Sequence, residues 1–198
     1  MVEAEKDIKQ ARPEQARMDQ ASLLERARRG DEPSFERLVK EALPKVLAVS
    51  RRMIRDENEA WDVAQEAFVK AWRKLSEFRG DAAFSTWVCG IAARGALDRI
   101  RVRRNESADE VDDRTRSDRQ GPSEVAEARS LASAISSAVE NLPEAERAVF
   151  MLHEESGMKY REVCAALDIP IGTVMSRLHS ARSRLRKILD PWWKEMTA

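Results

Sequence analysis

Apolar residues recur at intervals of three and four over most of residues 21–189, the spacing that gathers them on one face of a helix. Leu23, Leu24 and Ala27, then Phe35, Leu38 and Val39, predict two helices separated by the turn signal Gly30-Asp31-Glu32-Pro33. Residues 43–54 predict a third helix through Val46, Leu47, Val49 and Met53. Residues 58–75 predict a fourth, with Val63, Ala67, Phe68, Ala71, Trp72 and Leu75 on its apolar face. Asp62, Gln65, Glu66, Lys70 and Arg73 fall on the opposite face. Residues 84–102 predict a fifth, entered through the loop 76–83. The pattern then lapses: between Asn105 and Glu124 there are seven acids, three arginines, Gly121 and Pro122, and almost nothing apolar. Such a stretch cannot bury enough surface to fold by itself and reads as a flexible linker. Helical patterning resumes over 125–140 and again from Pro143 to about Glu155, with Pro near the first helical position.

The last 40 residues carry the sharpest signal. A short helix over about 160–168 is followed by Pro170 and Gly172, which punctuate a tight turn. A second helix is expected from Thr173, a good N-cap type, and Asp190-Pro191 is expected to stop it. Val174, Leu178, Ala181, Leu185 and Ile188 mark its buried face. From Thr173 to Leu189 there are five Lys or Arg residues and no acid. Two helices around a tight turn, the second strongly basic, form a helix-turn-helix suited to the major groove of DNA.

Composition sharpens this picture. The 198-residue chain has a formal net charge of zero and is 42% hydrophobic. With seven glycines and one tyrosine, it is expected to be all-helical: two small domains joined by an acidic linker, the second with the helix-turn-helix. Neutrality excludes a uniformly basic coat, so DNA contacts must be local patches. Cys89 and Cys164 have no partner spacing; both read as small buried residues in a reducing compartment. The charged N-terminal stretch is not a signal peptide, and no run reaches the length of a membrane span. No phosphate loop, metal-ligand spacing or nucleophile–base pair is present, so no enzyme activity, metal or cofactor is expected.

A second basic region lies before the linker. Phe78, Arg79, Phe84 and Trp87 are followed by Arg94, Arg99, Arg101, Arg103 and Arg104. Aromatics beside arginines suit single-stranded DNA, because unpaired bases stack and phosphates need counter-charge. Helical spacing also fits Phe84, Trp87, Val88 and Ile91 as core, and pattern alone does not separate the two roles.

The motifs together resemble the bacterial RNA polymerase sigma factors of the extracytoplasmic-function (ECF) group. The residues that carry the resemblance are Asp62-Val-Ala-Gln-Glu-Ala-Phe68 with Ala71-Trp72, Phe78-Arg-Gly-Asp81, Phe84-Ser-Thr-Trp87, Ile91-Ala92, Ala96-Leu-Asp98, Leu142-Pro143 and residues 172–182. They occur in family order on both sides of the linker and span about residues 22–189.

The resemblance implies a polar extension (1–19), a region 2-like domain (20–105), a linker (106–124) and a region 4-like domain (125–193). Asp62, Gln65 and Glu66 would dock on the largest subunit of core RNA polymerase. Phe78, Arg79, Phe84, Trp87, Arg94, Arg101, Arg103 and Arg104 would open and hold the minus-ten element of promoter DNA. Tyr160, Arg161, Thr173, Ser176, Arg177, His179, Arg182 and Arg184 would serve the minus-thirty-five element, and the same domain would touch the second-largest subunit. An anti-sigma factor is the expected regulator. The expected location is the bacterial cytoplasm, with any membrane tethering made through that factor. Six positions depart from the family pattern: Met175 stands where Lys or Arg is common, Cys89-Gly90 replaces an aromatic-Arg pair, Ala93-Arg94 replaces Arg-Asn, and Trp61 takes a usually polar place. Two competing readings remain. One is a helix-turn-helix regulator that binds duplex operator without polymerase; the other is a helical interaction protein without promoter function.

Overall fold

The computed structural model describes residues 19–109 and 131–197, with side chains over 19–105 and 133–190. Nearly all of the predicted extension, and the predicted linker from residue 110 onward, lie outside the described residues. The regular elements among the described residues are all helices, with no strand among them.

The first unit contains α1 (residues 19–28), α2 (Glu32–Met53), α3 (Glu57–Arg73) and α4 (Phe84–Asp109), with a short 3-10 turn at Leu75–Glu77. Leu38, Val46, Val49, Met53, Val63, Phe84 and Val88 are almost fully enclosed where α2, α3 and α4 meet. Each such side chain contributes about 1.5–3 kcal/mol by leaving water. Asp56 starts α3 by accepting the Glu59 N–H at 2.9 Å. Helix α1 secures the loop that enters α4. Arg28 donates to the carbonyls of Leu75 and Phe78, and the Gln20 side chain accepts the N–H of Phe84 at 3.2 Å.

The expected break near residue 43 is absent, because α2 runs through Pro44. Pro44 is exposed, so water replaces the one bond its missing N–H would have made. Helix α4 likewise continues past Val102 to Asp109, into the stretch read as linker.

The second unit contains α5 (Leu131–Glu140), α6 (Glu144–Phe150), α7 (Tyr160–Leu167) and α8 (Ile171–Thr197). Val139, Val149, Met151, Leu152, Val163, Val174, Leu178 and Ala181 form its core. Helix α6 widens into one π turn at Met151–Glu155, closed by Ser156 N–H on the Met151 carbonyl at 3.0 Å. Glu162 then accepts the Lys159 N–H at 2.6 Å and starts α7.

Three expectations are corrected here. The left-handed residue of the helix-turn-helix is Asp168 (φ 54°), one of the few types that tolerates it; Gly172 already lies in the first turn of α8. Thr173 is therefore inside the helix and not its cap. Pro191 does not stop α8, which reaches Thr197; a single lost backbone bond does not end so long a helix.

The two units meet along a seam, α4 against α7 and α2 against α5 and α6. At its centre the Ser156 carbonyl accepts from Lys45 Nζ at 3.0 Å and from Thr86 Oγ1 at 3.1 Å. Arg147 reaches across to the Met53 carbonyl at 3.1 Å while also donating to the Glu140 carbonyl. Arg52–Glu155 at 2.8 Å and Arg94–Asp168 at 3.3 Å bridge the rims. Gly90 lies where α4 and α7 touch: a Cβ built on it would sit 2.8 Å from the Ala166 Cβ and 3.1 Å from the Met158 methyl. Only a glycine fits so close an approach without displacing its neighbours.

Candidate functional site

Three surfaces carry the candidate residues. On α3, Asp62, Gln65 and Glu66 are exposed together. They are flanked by Trp61, 42% exposed, and Val69, 45% exposed. Beside them runs an apolar groove of about 510 Å³ lined by Phe35, Val39, Leu43, Phe68 and Trp72 as well as Trp61. Trp61 therefore belongs to a surface that a partner can cover, not to the core. Glu66 is already engaged: its Oε1 accepts Arg99 Nη2 at 2.5 Å, and its Oε2 lies 4.0 Å from Lys70 Nζ. Two turns earlier Glu59 pairs with Arg103. Neither arginine's partner follows from sequence periodicity, since each pair joins different helices.

On α4 and its entry loop, Arg79, Arg94, Arg101, Arg103 and Arg104 are exposed. Phe78 and Phe84, expected to stack bases, are 5% and 1% exposed. They are core residues, packed edge-on at 6.1 Å between ring centres, and offer no open face to a base. Trp87 is half-buried and stacks on Phe78 at 4.8 Å. It lines a cleft of about 590 Å³ along with Lys70, Arg79, Arg94, Met158 and Ala166. This cleft lies on the seam, so its far wall comes from the second unit.

On the helix-turn-helix, Ser176 and His179 are exposed and Thr173 and Arg177 half-buried on the first turns of α8. Met175 is 53% exposed beside them. Arg182 is held by Glu154 at 3.0 Å and Arg184 by Glu146 at 3.1 Å, so both must exchange partners to bind a phosphate. The Glu154 hydrogen bond keeps the Arg182 guanidinium firmly charged. Tyr160 is half-buried against His153, ring centres 4.8 Å apart, and Arg161 is exposed. No group of His, Cys, Asp or Glu residues suited to a metal ion occurs among the described residues. Nor is any helix there long and apolar enough to cross a membrane.

The cysteines divide. Cys89 is fully buried, whereas Cys164 on α7 is only half-buried. Burial pushes the Cys89 thiol up, partly offset by Ser156 and Lys45 beside it.

The chain matches two family profiles in order: Sigma-70 region 2 over residues 38–106 and Sigma-70 region 4 over residues 132–185. The RNA polymerase sigma-H factor of Pseudomonas aeruginosa is 35% identical over 183 residues, covering 87% of this chain and 95% of that one. The ECF RNA polymerase sigma-E factor of Escherichia coli is 34% identical over 179 residues, covering 85% and 93%. Among solved structures, the sigma factor RpoE in complex with the anti-sigma factor NepR from Bartonella quintana aligns with TM-score 0.60 and 25% identity, over 79% of this chain and 96% of that one. CnrH in complex with the cytosolic domain of CnrY aligns with TM-score 0.59 and 25% identity, over 87% and 98%.

Proposed function

We propose that this chain, which belongs to the ECF group of the sigma-70 family, binds core RNA polymerase and carries it to promoter DNA to start transcription of a specific regulon. One observation carries the reading: α3 presents Asp62, Gln65 and Glu66 to solvent on a unit that is separate from the DNA-reading helix. An operator-binding regulator has no use for that half of the chain. Asp62, Gln65 and Glu66 make the docking face for the largest polymerase subunit, with Trp61 and Val69 as its apolar flank. Arg79, Trp87, Arg94, Arg101, Arg103 and Arg104 serve the minus-ten element. Ser176, Arg177 and His179 read the minus-thirty-five element, supported by Tyr160, Arg161, Thr173, Arg182 and Arg184. A two-pronged contact from Arg177 to guanine is worth about 1–3 kcal/mol of discrimination. The second-largest subunit meets the helix-turn-helix unit. The domain boundaries near residues 105 and 125 follow from the same reading.

An anti-sigma factor regulates the chain. Support comes from the two structural neighbours, one captured with the anti-sigma factor NepR and the other with the cytosolic domain of CnrY. The site of action is the bacterial cytoplasm.

The test is run-off transcription with purified core polymerase on fragments upstream of the chain's own gene. Wild type is expected to give discrete transcripts that Asp62→Ala/Glu66→Ala abolishes. Duplex binding by the chain alone, with neither core binding nor transcripts, would install the operator-binding reading instead.

A further inference from the structure

We propose that Arg99 is the internal counter-ion of the docking face, a positioning residue that holds Glu66 against α4 until a cationic surface of the polymerase or a DNA phosphate takes one partner away. The inference rests on the reading of Glu66 as a docking residue. Both carboxylate oxygens of Glu66 face cations of the chain itself, Arg99 Nη2 at 2.5 Å and Lys70 Nζ at 4.0 Å. Arg99 in turn has a second hold on α3, the Glu59 carbonyl at 3.4 Å. Glu59 carries the neighbouring pair with Arg103. The four side chains line one cleft of about 450 Å³ between α3 and α4, which also includes Lys70 and Asp98.

The pair is exchangeable by construction. Its members are 27% and 53% exposed, so water and salt compete with it and neither charge is stranded when it opens. A cation arriving at Glu66 must displace Arg99. The freed guanidinium then gains a partner in the DNA phosphates that α4 is placed to meet. By linkage the converse also holds: DNA that draws Arg99 away unmasks Glu66 and tightens core binding by the same factor. An exposed ion pair sets that factor at about two- to five-fold. Arg101 and Arg104 are exposed and make no hydrogen bond or ion pair to α3 among the described residues, so the coupling belongs to Arg99 and Arg103.

The sign of the effect makes the test. Affinity of the full chain for purified core polymerase is measured without DNA for wild type, Arg99→Gln and Arg99→Lys. Arg99→Gln is expected to bind core about two- to five-fold more tightly, and Arg99→Lys to match wild type, because it keeps the charge. In a Glu66→Gln background the gain from Arg99→Gln should vanish. A merely structural role for Arg99 would lower affinity, as would any loss of fold, so neither mimics a gain. Unchanged or weaker binding by Arg99→Gln, with wild type binding normally, would overturn this inference and leave the docking face standing. Failure of wild type to bind core would overturn both.

Discussion

Arg147 is a cation enclosed at the point where the two units meet. It is 7% exposed, its Nη groups satisfy the Glu140 and Met53 carbonyls, and its Nε has no partner among the described residues. Burial lowers its pKa, although the guanidinium stays charged. Removing it strands the buried Met53 carbonyl, at about 1–3 kcal/mol, and takes a donor from the part-buried Glu140 carbonyl. Arg147→Ala is therefore expected to lower stability by about 2–4 kcal/mol in urea unfolding, most of it through the Met53 carbonyl. Little of this was legible beforehand. Arg147 sits in a run of charged residues whose period says only helix, and its acceptors are backbone atoms, one of them 94 positions away. Phe84 shows the converse: helical spacing already offered the core as its place, and packing against Trp87 and Phe78 puts it there, whereas nothing in the pattern gave Phe78 a core position.

At the scale of elements, most helices were legible from period alone. Helix α3 shows the point: its apolar face placed it over 58–75, close to the observed Glu57–Arg73, although its cap, Asp56, which accepts the Glu59 N–H, was not singled out. Asp56→Ala is expected to cost about 1 kcal/mol, read as a lower thermal midpoint. It should also fray the turn that carries Glu59 and so loosen Arg103. The proline signal misled at Pro191, late in a long helix, and the break expected near residue 43 is absent although Pro44 lies there on an exposed face. The turn of the helix-turn-helix was placed correctly but assigned to the wrong residue: Asp168 takes the left-handed conformation because Asn and Asp side chains can support it locally. The basic face of α8 was readable from composition, yet the partners of Arg182 and Arg184 come from α6 and its π turn and depend on how those helices pack.

At the scale of the molecule, the seam between the units is the feature sequence could only hint at, through a glycine where the family commonly has arginine. Gly90→Arg places a side chain where a Cβ already lies 2.8 Å from Ala166. The variant is expected to part the units without unfolding either. The measurement is alkylation of Cys89, a buried thiol whose enclosure and raised pKa are expected to make it slower to react at neutral pH than the half-buried Cys164. In Gly90→Arg, Cys89 should label at least several-fold faster, with helicity unchanged. Continued protection of Cys89 would show that the seam adapts without opening.

The closeness of α4 and α7 also sets a length that promoter DNA does not share. Elements named for positions ten and thirty-five are about 25 base pairs apart, roughly 85 Å along the duplex, whereas the units that would read them are in van der Waals contact. On the proposed reading, the units must part for both elements to be held at once. On that reading each hydrogen bond across the seam opposes the parting, and apparent promoter affinity is the intrinsic one scaled by the fraction of molecules standing open. A partner that binds only the open chain raises that fraction without touching DNA, and one that binds only the closed chain silences transcription without covering a single base-reading residue.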